Sequence, residues 1–134
     1  MERKATRKTI LAYALKAYGT EPDYPWAEDN TSAVLRRGED KKWYGLIMTI
    51  PWQTLGVPKA GVTDILNLKL DPELILLLLE EKGYFPAYHM NKTHWLTLLL
   101  DGSLSLAEVS RWLDLSYHLA AKRKSRPAPI PEEA

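Results

Sequence analysis

The sequence predicts a two-layer α+β sandwich in which helices cover one face of a mostly antiparallel sheet. Hydrophobic periodicity gives the element order α-β(3)-α-β(2)-α. The links between successive strands are short, which is typical of antiparallel pairing. One strand alternates between apolar and polar residues, which indicates a sheet with one open face. With 134 residues, 46% of them hydrophobic, the chain is long enough for one domain with its own core.

The first helix is predicted over residues 3–18, where apolar side chains recur every three or four positions. Gly19 follows this stretch and is a typical residue at the end of a helix. The next segment, residues 20–30, contains two prolines and is predicted to be a loop. We expect this loop to place Tyr24 and Trp26 on the core.

Three strands are predicted next, over residues 32–37, 42–50 and 62–70. The second has the aromatic and β-branched bias of a central strand. The third alternates cleanly, which predicts two different faces. One face carries Leu66, Leu68 and Leu70, and the other carries Ile65, Asn67 and Lys69.

A compact helix over residues 71–83 has Asp71 as its expected N-cap, followed by a proline at the first helical position. Two more strands are predicted over residues 84–90 and 94–100. Because the second carries leucines at alternate positions, we expect those leucines to face the core and Trp95 to face away from it.

The last helix is predicted over residues 105–124, with Ser105 as N-cap and Glu108 completing a capping box.

The single domain is expected to span residues 1–121. Residues 122–134 form a basic, proline-rich tail that we expect to be disordered. The tail carries four basic and two acidic residues of a chain with formal charge +1, so the body is slightly negative. Such a bulk charge does not favour strong DNA binding.

Composition excludes several classes of protein. The chain has no cysteine, which excludes disulfides, thiolate chemistry and cysteine-ligated zinc. The N-terminus lacks the apolar segment of a signal peptide, and the longest apolar runs, residues 74–79 and 95–100, are too short to span a bilayer. We therefore expect a cytoplasmic protein without a membrane partner.

Three stretches resemble the MmcQ/YjbR family of small bacterial proteins: "YGTEPDYPW", "DILNLKLDPEL" and, most specifically, "PAYHMNKTHWLTLLLDG". The resemblance covers about residues 5–120. It implies a CyaY-like, secretion-chaperone-like α+β fold. Family members are labelled DNA-binding because their fold is similar to the double-wing domain of a phage transcription factor. The resemblance implies no catalytic residue set.

A candidate binding site lies on the predicted open face and at its rim. Strand alternation places Asn67 and Lys69 beside Trp95, and the turn before the last strand is rich in polar side chains. Such groups on a sheet face are suited to contacting phosphate and stacking on a base. The candidate contacts are Asn67, Lys69, His89, Asn91, Lys92, His94 and Trp95. The alternative is that Trp95 and Ile65 pack beneath a loop, with the polar groups merely solvated.

His89 and His94 also suggest a metal site, but no acidic residue lies between them, so no metal and no cofactor are expected. No nucleophile has an evident base and orienting carboxylate, which makes catalysis the less favoured prediction.

We expect a non-enzymatic DNA-binding module. The alternatives are a protein-interaction or chaperone-like module, with Trp52 partly exposed, and a small-molecule-binding protein or enzyme with its site near His89 and His94. A monomer is expected, with a weak dimer as the alternative.

Overall fold

A computed structural model describes residues 3–125 of the chain and the side chains of residues 3–121. The elements are β1 (Lys4–Thr6), α1 (Arg7–Tyr18), β2 (Ala33–Arg36), β3 (Trp43–Pro51), a 3₁₀ helix (Trp52–Leu55), β4 (Val62–Lys69), α2 (Pro72–Leu78), β5 (Tyr84–Pro86), β6 (Trp95–Leu99), β7 (Asp101–Ser105) and α3 (Leu106–Ser125). Five strands form one antiparallel sheet in the order β2-β3-β4-β6-β5, and β1 pairs with β7 in a second, two-stranded sheet. The predicted α+β class is confirmed.

The main core lies between the sheet and the helices. In the register of β4 and β6, Leu66 lies opposite Leu98 and Leu68 opposite Leu96, and all four side chains are fully buried. They belong to one apolar cluster with residues of α1 and α3, among them Val109. This is the leucine face that strand alternation predicts, because successive side chains of a strand point to opposite sides.

The N-terminal residues differ from the prediction. Residues 4–6 are extended and pair with β7 instead of starting the helix. The Oγ1 of Thr6 accepts from the Thr9 amide at 3.2 Å, and the Oγ1 of Thr9 accepts from the Thr6 amide at 2.9 Å. This reciprocal cap satisfies two amide groups at the helix end, so α1 begins at Arg7.

Three other boundaries shift. The strand predicted over residues 84–90 ends at Pro86, and α2 ends at Leu78 rather than at residue 83. The chain stays extended through Asp101–Ser105 because β7 pairs with β1. Ser105 is the N-cap, as predicted, because its Oγ accepts from the Glu108 amide at 3.1 Å; the Glu108 carboxylate accepts from the Tyr84 hydroxyl.

The second face of the sheet is covered in part, which differs from the open face expected from the sequence. Ile50, Trp52, Ile65 and Leu99 form a second buried cluster there. Tyr88, from the loop of residues 87–94, and residues of the segment that follows Trp52 pack against it. Trp52 is 8% exposed, so the prediction of a partly exposed Trp52 is wrong. Strand alternation indicates that a second face exists, but loops without periodicity determine what covers it.

The last helix agrees with the prediction, since α3 spans Leu106–Ser125 where residues 105–124 were expected. The rest of the predicted tail, residues 126–134, lies outside the described residues. Within residues 3–125, no helix is both long and apolar enough to cross a membrane.

Candidate functional site

A cavity of about 720 Å³ opens on the second face of the sheet, beside the buried cluster of Ile65 and Trp52. We call it the tryptophan pocket. It is assembled from three segments that are distant in sequence: the loop before β2, strand β3 and the loop of residues 87–94. Its lining residues are Trp26, Ala27, Glu28, Asp29, Ser32, Trp43, Leu46, Met48, His89 and Met90.

Two tryptophans form an aromatic wall of this pocket. The rings of Trp26 and Trp43 meet edge to face, with centroids 6.0 Å apart and an angle of 86° between their planes. Trp26 is 41% exposed and Tyr24 is 43% exposed, so the expectation that both pack onto the core is wrong. The physical reason is a bridge between Asp23 and Val34, which pins the loop to the edge strand β2. The side chains of Tyr24 and Trp26, which follow this bridge, therefore remain partly exposed.

Arg36 supports Trp43 from β2. Its guanidinium carbon lies 5.4 Å from the centroid of the Trp43 ring, within range for a cation–π contact. The Arg36 Nε also donates to Asp23 Oδ2 at 2.9 Å. The pair is partly exposed, so it contributes little to stability. Its effect is to hold the Trp43 ring in place.

Asp29 shapes the turn at the mouth of the pocket. Its Oδ1 accepts from the Thr31 amide at 3.0 Å, and its Oδ2 accepts from Ser32 Oγ at 2.6 Å. These hydrogen bonds, that from the Ser32 side chain first, lower the pKa of Asp29 to about 2. The carboxylate is therefore charged at neutral pH.

The loop of residues 87–94 is fixed to the centre of the sheet. Asn67 Nδ2 donates to the Tyr88 carbonyl at 3.1 Å, and the Tyr88 amide donates to Thr97 Oγ1 at 2.9 Å. Thr97 Oγ1 in turn donates to Asn67 Oδ1, and both side chains are fully buried. The next residue, His89, has a left-handed backbone with φ +58°, and its ring stacks on Tyr88 at 4.1 Å. Histidine tolerates this conformation better than most residues.

A second cavity of about 380 Å³ lies on the other part of this loop, and we call it the Lys92 cleft. Asn91 Oδ1 accepts from the Thr93 amide at 2.8 Å, so Asn91 shapes the turn that carries Lys92. His89 lines both the cleft and the tryptophan pocket. The lining residues of the cleft are Thr54, Leu55, Gly56, Phe85, Pro86, Ala87, Tyr88, His89 and Lys92.

The predicted site residues separate into two groups. In the first group, Asn67 and Trp95 are buried. Lys69 is half-buried, and its Nζ lies 5.6 Å from the centroid of the Trp95 ring. His94 is half-buried and lies opposite Leu70. In the second group, His89, Asn91 and Lys92 are exposed and lie on one loop. The predicted sharing of one face is present, and the register places Asn67 opposite Thr97 and Lys69 opposite Trp95, but Asn67 is fully buried and not available to a ligand. Its amide is instead part of the hydrogen bonds that hold the loop.

Metal-binding groups are sparse in the part of the chain that the structure describes. Residues 3–125 contain no group of three or more His, Cys, Asp or Glu side chains placed to hold a metal ion.

Several pocket residues lie outside the predicted set, chiefly Trp26, Trp43, Met48 and Met90. Leu46 and Met48 are two positions apart on β3, on the face opposite the buried Ile47. This alternation was the signal in the sequence that could have assigned them to the second face. The loop residues carry no such periodic signal. Their position depends on how the loop docks.

Comparison with known proteins gives consistent results. The YjbR family model matches residues 15–119. The Bacillus subtilis (strain 168) protein YyaQ, described as an uncharacterized protein, is 40% identical over 114 residues, which is 85% of this chain and 97% of YyaQ. The chain is thus similar in sequence to YyaQ over nearly its whole domain.

Two solved structures are also similar to this chain. A crystal structure of a Pseudomonas syringae protein is 40% identical, with a TM-score of 0.83, and the match covers 86% of this chain and 98% of that one. A Deinococcus radiodurans protein with a DUF419 domain is 25% identical, with a TM-score of 0.69, over 93% of this chain and 85% of that one. On these matches of sequence and fold, the chain belongs to the YjbR family.

Proposed function

We propose that this chain is a non-enzymatic binding protein for a small aromatic molecule and that the tryptophan pocket holds it. The observation that carries the proposal is the aromatic wall of Trp26 and Trp43 on a cavity of about 720 Å³. Ligand pockets typically have volumes of about 300 to 1,000 Å³ and are lined mainly by apolar and aromatic side chains.

The aromatic and apolar residues of the walls favour a flat, apolar ring system in the pocket. Aromatic rings prefer offset-stacked or edge-to-face partners, and the exposed part of Trp26 leaves room for such a partner. Met48 and Met90 are half-buried in the same cavity. Methionine side chains are flexible and polarizable, so they adapt to aromatic ligands of different shapes.

The hydrogen bonds of the polar lining residues favour binding over catalysis. Ser32, Asp29 and His89 all line the pocket, and these are the residue types of a catalytic triad. However, the Ser32 hydroxyl donates directly to the Asp29 carboxylate. A nucleophilic serine needs its proton taken by an imidazole, and a carboxylate with a pKa of about 2 is a weak base. The serine and aspartate are therefore occupied in shaping the turn.

The proposal is tested with N-phenylnaphthylamine, a neutral aromatic probe whose fluorescence rises in apolar sites. We expect saturable binding that Trp26→Ala weakens about tenfold, or ~1.4 kcal/mol, because one aromatic wall is lost. Trp26 is a suitable position because it lies on a loop and is already well exposed. Fluorescence titration at constant protein concentration gives the dissociation constants.

The matched control is Leu77→Ser. Leu77 is 68% exposed on α2. The buried residues of this helix belong to the main core between the sheet and the helices, away from the pocket. This variant removes exposed apolar surface without touching the pocket, so we expect it to bind the probe as the wild type does. Equal loss in both variants would indicate non-specific adsorption, and unaltered binding by Trp26→Ala would contradict the proposal.

The nucleic-acid hypothesis leads to a different expectation. Of the seven contacts that it assigned, Asn67 and Trp95 are buried and Lys69 packs over Trp95, while His89, Asn91 and Lys92 are exposed. We therefore expect labelled duplex and single-stranded DNA to bind weakly at low salt and not at physiological salt, with no change in Lys69→Ala. Fluorescence anisotropy measures this directly. Binding that persists at physiological salt and depends on Lys69 would favour DNA over the aromatic ligand.

A further inference from the structure

The tryptophan pocket and the Lys92 cleft meet at one residue. His89 lines both cavities, and the hydrogen bonds of Tyr88 with Asn67 and Thr97 hold the loop between them in place. The cleft adds about 380 Å³ next to the first cavity. A ligand that occupies both cavities would pass over His89, the residue that their linings share.

Charge is distributed unequally between the two cavities. The tryptophan pocket is lined by two carboxylates, those of Glu28 and Asp29. Among the described residues that line the cleft there is no acidic side chain, and Lys92 supplies a positive charge. An anionic group is thus repelled at the first site and attracted at the second.

From this charge distribution we infer that the ligand is an aromatic acid, with its ring system in the tryptophan pocket and its anionic group beside Lys92. This inference rests on the proposed function and deepens it by giving the ligand a charge and an orientation. Lys92 is then a specificity-determining residue that selects anionic over neutral aromatic molecules.

The position of Lys92 supports this role. The Asn91 side chain accepts from the amides of Thr93 and His94 at 2.8 and 3.3 Å, and this turn determines where the lysine leaves the loop. Because Lys92 is exposed, water and salt screen its charge. The selectivity is therefore expected to be moderate and to decrease as salt increases.

The experiment compares two probes with the same ring system, neutral N-phenylnaphthylamine and the anionic anilinonaphthalene sulfonate. The full chain should bind the sulfonate roughly threefold to fivefold more tightly than the neutral probe, the range of an exposed ion pair. Lys92→Gln should abolish this preference. Lys92→Glu should reverse the preference.

Lys8→Gln is the matched control, because it makes the same change of net charge at an exposed position on α1. It should leave the preference intact. Equal affinity for the two probes in the wild type, or a preference that Lys92→Gln and Lys8→Gln reduce alike, would overturn the inference. If the neutral probe fails to bind, or binds Trp26→Ala as tightly as the wild type, the proposed function itself fails. The neutral probe alone therefore distinguishes failure of the proposed function from failure of the inference about Lys92.

Discussion

Asn67→Ala is expected to lower the free energy of unfolding by about 2 to 4 kcal/mol, although asparagine is a polar residue in the middle of a strand. Asn67 is fully buried, and its amide group both donates to the Tyr88 carbonyl and accepts from Thr97. Alanine removes both interactions and leaves the partly buried Tyr88 carbonyl and the buried Thr97 hydroxyl with one partner fewer. Urea unfolding followed by tryptophan fluorescence measures the loss.

The same variant is expected to weaken binding in both cavities. Asn67 contacts Tyr88, whose neighbour His89 lines the tryptophan pocket and the Lys92 cleft. We therefore expect lower affinity for both probes and faster hydrogen exchange at the Tyr88 amide. Asn91→Ala is the control, since it removes an exposed asparagine from the same loop and should cost about 1 kcal/mol or less. Equal stability losses in the two variants would contradict the structural role of Asn67.

The second large effect is expected from the ion pair of Arg37 and Asp40. The Arg37 Nε lies 3.3 Å from Asp40 Oδ2, and the two side chains are 9% and 5% exposed. Arg37 also places its guanidinium carbon 4.5 Å from the Tyr117 ring centroid and so connects the β2–β3 turn to α3. Because removing one partner leaves a charge with little access to water, Arg37→Met should cost about 3 to 5 kcal/mol.

A double-mutant cycle tests this explanation. Arg37→Met combined with Asp40→Leu should cost less than the sum of the two single changes, because each single change removes the same contact between Arg37 and Asp40. Asp23→Asn is the matched control: it weakens the partly exposed pair with Arg36 and should cost about 1 kcal/mol or less. Additive effects at positions 37 and 40 would show that the pair is not coupled.

The main core between the sheet and the helices was predictable, because its apolar residues recur along the sequence at a regular period. Leucines at alternate positions of β4 and β6 indicated the buried face, and the structure places Leu66, Leu68, Leu96 and Leu98 there. Alternation also predicted that Asn67, Lys69 and Trp95 share the opposite face, and the register of the structure places them beside one another. Their burial was not predictable, because it depends on a loop that docks over them.

The sequence by itself determined the α+β class, the leucine face of the sheet and the family, because each depends on local patterns or on residue identity along the chain. The tertiary structure alone decided that Asn67 holds a loop and that a pocket exists. Trp26, Trp43 and His89 come from three segments separated by other elements, and only strand register and loop docking bring them together. Loops lack a period, so their positions follow from buried hydrogen bonds, such as those of Tyr88 with Asn67 and Thr97.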